Sequence, residues 1–516
     1  MKTTRYLLLI LLTIFTTIST TSAQQNTFQL DFYLSTQDDI RGVIQNAAGD
    51  YVLAGSTFNV ASNYDPVISI VSPTGVVLQT KTYTSVSSDF IYSICQTSDG
   101  GYFLTGATYI SANNYDCLVI KLDAALNTVF YKSYGTAGND YGNRGFEISP
   151  GHYTVTGTIA LGGSAKPSVV TLNDQGNVVN EGYLVTNQFA SPNYKGSYVA
   201  TNEIALSNLT NAITIVDTNG IIVNHYANSF GTYSRDIIKA SNGEYVCINF
   251  AISGIPGAGP LAIARVDSTL TTFVGGNSFK VLGRDLIPVK IIQDAANNFL
   301  IAANGYDYNS GNSIPLLIKT DSACNLLWCH NFIPAGSVNA FFNSFESTSD
   351  GGFILGGNNG AWNNQHFFFV KLDSSGNSVC NSSLFSLQTQ GVSTQSQTTH
   401  AQYTGAVSSI TTSSQSFGAV SPTINLLCLS TSVQEMESTN EISIYPTLVQ
   451  DAFIVSSDVN SKIDISVYDG IGSLLLQQQV NSGSTISMAN YSTGIYIVKC
   501  TTTDGKYYST RLFKVY

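Results

Sequence analysis

Charge is scarce in this sequence. Asp, Glu, Lys and Arg make up 11% of its 516 residues, against about 25% in an average soluble domain. The net charge is −11 and no cluster of Lys and Arg stands anywhere in the chain. A nucleic-acid partner requires a basic face, so that class is excluded. Proline is also sparse, at 12 residues. Past the first 15 residues no apolar run approaches the ~18 residues of a membrane-spanning helix, so the chain is not expected to span a membrane. The five histidines (152, 225, 330, 366 and 400) have no ligand spacing, and there is no GxSxG or CxxC. No metal and no cofactor is expected from such a pattern. "YDYNSGNS" at Tyr306 alternates oxygen-bearing residues like a calcium loop but lacks the closing Glu.

The N-terminus indicates the compartment. Lys2 and Arg5 precede the apolar stretch "YLLLILLTIF", and Thr21-Ser22-Ala23 ends in a small residue. That order is a secretory signal peptide, residues 1–23, with cleavage expected after Ala23. The eight cysteines then meet an oxidising environment. Cys324 with Cys329, and Cys380 with Cys428, are the expected disulfides. Burial as small apolar residues is an equal reading for Cys95, Cys117, Cys247 and Cys500.

"TSDGGYFLTG" at Thr97 looks like a phosphate cradle, but it recurs as "TSDGGFILGG" at Thr348. Weaker copies place aromatic anchors at Tyr51, Tyr102, Tyr153, Tyr198, Tyr245, Phe299 and Phe353. A period near ~50 residues marks a repeat architecture. No helix follows the glycines, so no helix N-terminus is available for phosphate. Each copy continues into an apolar strand and a turn opened by Ser72, Asp123, Asn173, Asp217, Asp267, Asp321 or Asp373. One such residue per repeat reads as a turn former, because its side chain bonds its own backbone.

Each unit reads as four short strands, and tandem four-stranded units give an all-β fold: a seven-bladed β-propeller over residues 24–380. "FQLDFYLSTQDD" at Phe28 resembles an outer strand yet precedes the first anchor, so it is expected to complete the last blade. "SVCNSSLFS" at Ser378 competes for that place. The fourth unit is degenerate and its register is open. The pattern "DGGYFLTG … YDCLVIKLDAALNTVFYKSYG" resembles the propeller-type repeats of secreted bacterial surface proteins.

From Ser374 to Gln434 there is no Asp, Glu, Lys or Arg, and residues 381–437 are expected to be a Ser/Thr/Gln-rich linker. Residues 438–516 alternate strands and turns and predict a small Ig-like β-sandwich. "IYP" (with Tyr445 and Pro446), "VYDGIG" (ending at Gly472), "YSTGIYIVK" (with Gly494, Tyr496 and Lys499) and the terminal "RLFKVY" resemble the type A C-terminal sorting domain of the type IX secretion system. Thr447 departs from the family's usual Asn. The resemblance implies the type IX machinery as a partner and delivery outside the cell or to its outer surface.

Aligned on the anchors, the first strands carry charge at two adjacent positions, Arg41 and Arg235 at one, Arg144, Asp236 and Lys290 at the other. In a propeller this strand lines the central channel. Arg41, Arg144, Arg235 and Lys290 are therefore candidates for a cationic channel mouth that binds an extracellular glycan or protein. The competing reading pairs them with the acids opening the units: Asp39, Asp89, Asp140 and Asp285. The leading expectation is a non-enzymatic binding or adhesion protein without catalytic residues. A polysaccharide-active enzyme using Glu147, Glu346 or a histidine, and a structural matrix component, are the alternatives.

Overall fold

The computed structural model describes residues 26–59, 63–112, 114–185, 195–207, 212–229, 233–250, 259–361 and 364–378, strands within 383–429, and residues 442–445, 448–457, 462–469, 473–492, 494–502 and 507–514. The expected signal peptide lies outside them. The chain divides into two compact units, one of which holds Gln25–Thr431 and the other the C-terminal residues.

The larger unit is all-β. Among the described residues it contains seven five-stranded sheets. In six of them four strands run through one sequence repeat, and in the seventh three do. In the second sheet they are Asp89–Gln96, Tyr102–Ser111, Asn114–Leu122 and Thr128–Tyr134. All pair antiparallel. The first strand of each sheet packs beside that of the next, and the last sheet's beside the first's. Repeated small sheets in this arrangement are consistent with a β-propeller. Phe28–Tyr33 pairs with His366–Leu372 as the fourth strand of the seventh sheet, the place the sequence predicts for it. Its Phe28, Leu30 and Phe32 are fully buried and pack against Tyr51, Phe367 and Phe369.

The recurrent motif is explained by three contacts. Gly100 has φ +81° at the turn, a conformation that favours glycine. A Cβ on Gly101 would lie 2.6 Å from Lys121 Nζ. That buried ammonium donates to Asp99 at 2.8 Å and to the Leu122 carbonyl at 2.7 Å. Burial opposes ionisation of Asp99, but the bonds from Lys121, Thr97 and Gly101 outweigh it and bring its pKa down to about 2. Gly106 faces a bulge, and its Cβ would meet the Phe90 carbonyl oxygen at 1.7 Å. The seventh sheet repeats the set with Asp350 and Lys371, 2.8 Å apart, and with Gly357 against Phe341. The residues opening the second turn also act as read from sequence. Asp123 Oδ1 accepts from the backbone N–H of Ala125 and Asn127, and Asp321 and Asp373 do the same in their turns.

Three expectations are corrected. Tyr198 is not the fourth anchor, since it lies in the first strand of its sheet, Lys195–Ala200. The equivalent position is Ile204, which faces Val216 as Tyr153 faces Leu172. An aliphatic side chain fills the same buried place, so the aromatic signal disappears. Cys324 and Cys329 are free thiols. Both pack in one apolar cluster between sheets, and burial pushes each thiol up to about 12. The other expected pair involves Cys380, outside the described residues.

The third correction concerns the uncharged segment, which supplies the fifth strand of every sheet. Running backwards around the unit, Ser383–Leu384 joins the sixth sheet, Gln388–Gly391 the fifth and Gln395–Ser396 the fourth. Ala401–Tyr403 joins the third, Ile410–Thr412 the second and Ser416–Ala419 the first. Thr423–Leu429 then pairs with Phe28–Tyr33 in the seventh. Within "SVCNSSLFS", Ser383–Leu384 is thus an added edge strand of the sixth sheet, not the closing strand of the seventh. An unpaired outer edge presents free N–H and C=O groups, and this strap satisfies them through its backbone.

The C-terminal unit has a three-stranded sheet (Ile442–Tyr445, Ala452–Ser457, Ser484–Ser487) and a five-stranded one. Alternation in Ile463–Tyr468 turns Ile463, Ile465 and Val467 inward, where they meet Phe453, Val498 and Leu512. Tyr496 is buried, and its hydroxyl donates to the Ser492 carbonyl at 2.6 Å. Lys499 lies 5.1 Å over the Tyr468 ring. Tyr445 is exposed. Pro446 and Gly472 lie outside the described residues.

Candidate functional site

The first strands converge on one another, and a β-bulge interrupts six of them at an equivalent place. The pairing with the second strand skips Arg41, Tyr92, Asn143, Arg235, Val289 and Asn343. A bulge re-aims one side chain out of the ladder. These six side chains all line one cavity of about 450 Å³. Gly55, Gly106, Gly157 and Gly357 stand opposite the bulges, where an added Cβ would lie within 2 Å of the bulged strand's carbonyl oxygen. The final glycine of the repeated motif therefore admits the bulge whose side chain lines the cavity.

All four candidate cations line cavities between the first strands. Arg41 and Arg235 line this cavity, and Arg144 and Lys290 line a smaller one beside it. Only one of their partners is among the acids expected. Arg41 does pair with Asp39, at 2.5 Å. Arg144 instead reaches Asp236 at 3.3 Å and Ser197 at 3.0 Å. Asp236 also accepts from Ser197 Oγ and the Ile291 N–H. Lys290 pairs with Glu346. Asp89, Asp140 and Asp285 organise loops: Asp89 accepts from Ser85 and Tyr131, Asp140 from Thr136 and the Ala160 N–H, and Asp285 from the Gly259 N–H. Burial raises the pKa of Asp89 and Asp140 despite these bonds.

Arg235 is the exception. Among the described residues no carboxylate pairs with it, and its Nε makes no hydrogen bond. Its guanidinium stacks over Phe250 at 5.9 Å. Burial lowers its pKa from the ordinary arginine value. A cation held this way in a cavity is suited to accept an anion.

Of the carboxylates weighed for catalysis, Glu346 pairs with Lys290 in the smaller cavity, and Glu147 is engaged elsewhere. Glu147 accepts from the Ser98 N–H, the Ser98 hydroxyl and the Gly151 N–H. His366 bonds Asp31 at 2.9 Å, and His330 stacks on Trp328. Among the described residues no group of three or more His, Cys, Asp or Glu is arranged to hold a metal ion. Asp307 at the calcium-like stretch closes its own turn through the Asn309 N–H and the Ser310 hydroxyl.

One feature was not anticipated from sequence. Aromatic rings form a continuous track over the first three sheets. Phe58 meets Tyr64 at 5.2 Å, Tyr64 meets Phe90 at 4.8 Å, and Phe90 meets Tyr115 at 6.3 Å. Tyr115 then meets Tyr141 at 5.9 Å, and Tyr141 meets Tyr92 at 6.5 Å in the cavity wall. Tyr109 flanks Tyr115 at 5.4 Å and is 38% exposed. The signal was present: Phe58 and Tyr109, Tyr64 and Tyr115, and Phe90 and Tyr141 each stand one repeat apart.

Residues 443–514 match the family model of the secretion system C-terminal sorting domain. The chain carries this domain and is a type IX cargo exported to the cell surface or the extracellular space. It is 32% identical over 73 residues to ulvan lyase NLR42 of Nonlabens ulvanivorans, covering 14% of each protein. Among solved structures, similarity extends to Semaphorin 2a of Drosophila, at 8% identity over 94% of this chain and 97% of that one, with a TM-score of 0.42. The extracellular domain of a putative hybrid two component system from B. thetaiotaomicron is 11% identical over 93% of this chain and 69% of that one, with a TM-score of 0.30.

Proposed function

We propose that the larger unit is a closed seven-bladed β-propeller, that the C-terminal unit is an Ig-like sandwich serving as the export signal, and that the protein is a non-enzymatic binding or adhesion protein. Its ligand is an anion, or carries one, and enters the channel mouth. The observation that carries this reading is Arg235, a cation in the cavity wall with no acidic partner among the described residues. The other three cations are matched by Asp39, Asp236 and Glu346. The ulvan lyase match covers 14% of each protein and does not by itself carry that protein's activity to this chain; a polysaccharide-active enzyme is the second reading.

The test is a binding array of acidic and neutral glycans and acidic peptides, probed with the full chain and with its Arg41→Ala/Arg235→Ala variant. Saturable binding of anionic probes that the variant loses, with the bound probe recovered intact, is the expected result. Recovery of cleaved probe would overturn the non-enzymatic reading. Binding that the variant retains would overturn the channel site.

A further inference from the structure

We infer that the ligand is an anionic polysaccharide, whose chain lies along the aromatic track of the first three sheets and whose terminal acidic group enters the channel to meet Arg235. The inference rests on the channel-mouth reading and names its ligand class.

Three observations combine. The first is continuity. Phe58, Tyr64, Phe90, Tyr115 and Tyr141 connect ring to ring, and Tyr92 carries the series into the cavity. Every one of these rings is half-buried. Each keeps a part open to solvent, as a platform must. Aromatic faces present apolar area with fixed geometry at low entropic cost, because two torsions define them. The C–H faces of a pyranose ring match such a surface.

The second is the polar surround. Asn63, Ser88 and Asn139 stand at the same strand ends, and Tyr64 and Tyr115 donate their backbone N–H groups to Ser88 and Asn139. Tyr109 adds its exposed ring. Amides and hydroxyls interleaved with rings suit a hydroxyl-rich chain better than a purely apolar one. The third is charge. The protein is acidic overall, yet the track ends at a cavity bearing Arg41 and Arg235, which has no acidic partner among the described residues. A neutral glycan would leave that cation unmatched, and an apolar peptide would make no use of the polar groups beside the rings.

Carboxylate and sulfate both satisfy the chemistry, so two probes separate them: oligogalacturonates of increasing length and dextran sulfate. Dextran is the neutral control. Calorimetric titration of the full chain is expected to show affinity rising roughly tenfold or more from dimer to octamer in one anionic series. Tyr109→Ala/Tyr115→Ala should remove most of that rise while leaving the dimer's affinity within about twofold. Arg235→Ala should weaken dimer and octamer alike. Thermal unfolding shows whether the ring variant folds. On unaltered protein, bound octamer should shield Tyr109 and Tyr115 from nitration.

The outcomes are separable. An octamer that binds no better than the dimer overturns the track. So does a length dependence that survives the ring variant, or nitration unaffected by octamer. In each case the Arg235 effect leaves the channel site standing. Anionic peptides that bind while neither polyanion does overturn the ligand class only. If no anion binds, both readings fall. Dextran binding as tightly as the anions overturns the role of charge.

Discussion

The two ends of the first strands make the same backbone pairings and do opposite things. At the end leading into the turns, polar side chains are consumed by the fold. Gln96 accepts from the Ala47 N–H at 2.8 Å, and Gln293 takes the Ser241 N–H in the same way. Each glutamine clasps the preceding sheet's turn to its own strand. At the other end the bulged residues are turned out of the ladder, Arg235 has no acidic partner among the described residues, and the rings of the aromatic track stay partly open to solvent. A polar group satisfied inside the protein reports on stability. One held in a cavity without a partner reports on what must come from outside.

The largest expected effect breaks the bulge that separates the two ends. Gly106→Ala drives a Cβ into the Phe90 carbonyl oxygen and should cost about 3 kcal/mol of unfolding free energy, read from the urea midpoint. Gly162→Ala is the control. It has φ +59° with nothing within 4 Å of its Cβ, so only backbone strain is added, about 1 kcal/mol.

Arg235→Ala should separate the ends functionally. Affinity for an anionic ligand falls at least about tenfold, the loss expected for a charge-assisted contact, while the urea midpoint is held or raised. An equal loss of affinity in Gln96→Ala would erase the distinction between the ends.

A third prediction uses pH at the mouth end. Burial, then the neighbouring Asp140, raises Asp116 to about 6, so it holds its proton more tightly folded than unfolded. Its favourable contribution is complete below the ordinary carboxylate range and is lost as pH rises through about 6. Asp116→Asn should therefore match the wild type near pH 4 and exceed it at pH 7.5 by about 1–3 kcal/mol, as urea midpoints at the two values will show. At the turn end the sign reverses. Asp99 titrates near 2, so its contribution is present above the ordinary carboxylate range and is lost only in stronger acid. The smallest effect belongs to Gln96→Ala, which removes one clasp. About 1 kcal/mol of stability is expected to go, with ligand affinity unchanged.

What could be read along the chain follows from periodicity. The strands, the turn carboxylates, the placement of Phe28–Tyr33 and the sorting domain each rest on local patterns of burial and turn chemistry. The two adjacent charged positions of the first strands were legible because repeats put equivalent residues at equivalent places. The same method failed at Ile204, where burial was kept by a different residue type. It also failed on the thiols of Cys324 and Cys329, whose nearness in sequence says nothing of where a turn points them.

The sequence by itself determined the repeating strand-and-turn units, the strand that joins the last sheet and the export domain, because each is encoded in side chains whose alternation or turn bonding is local. Tertiary structure alone decided three other things. The uncharged segment became an edge strand on every sheet, since edge pairing uses backbone groups that every residue carries and leaves no side-chain period. Arg144 found Asp236, 92 residues away, and Arg235 found no acid among the described residues, because sequence does not say which charges share a cavity. The rings of three separate repeats became one track only when adjacent sheets brought equivalent positions within van der Waals reach.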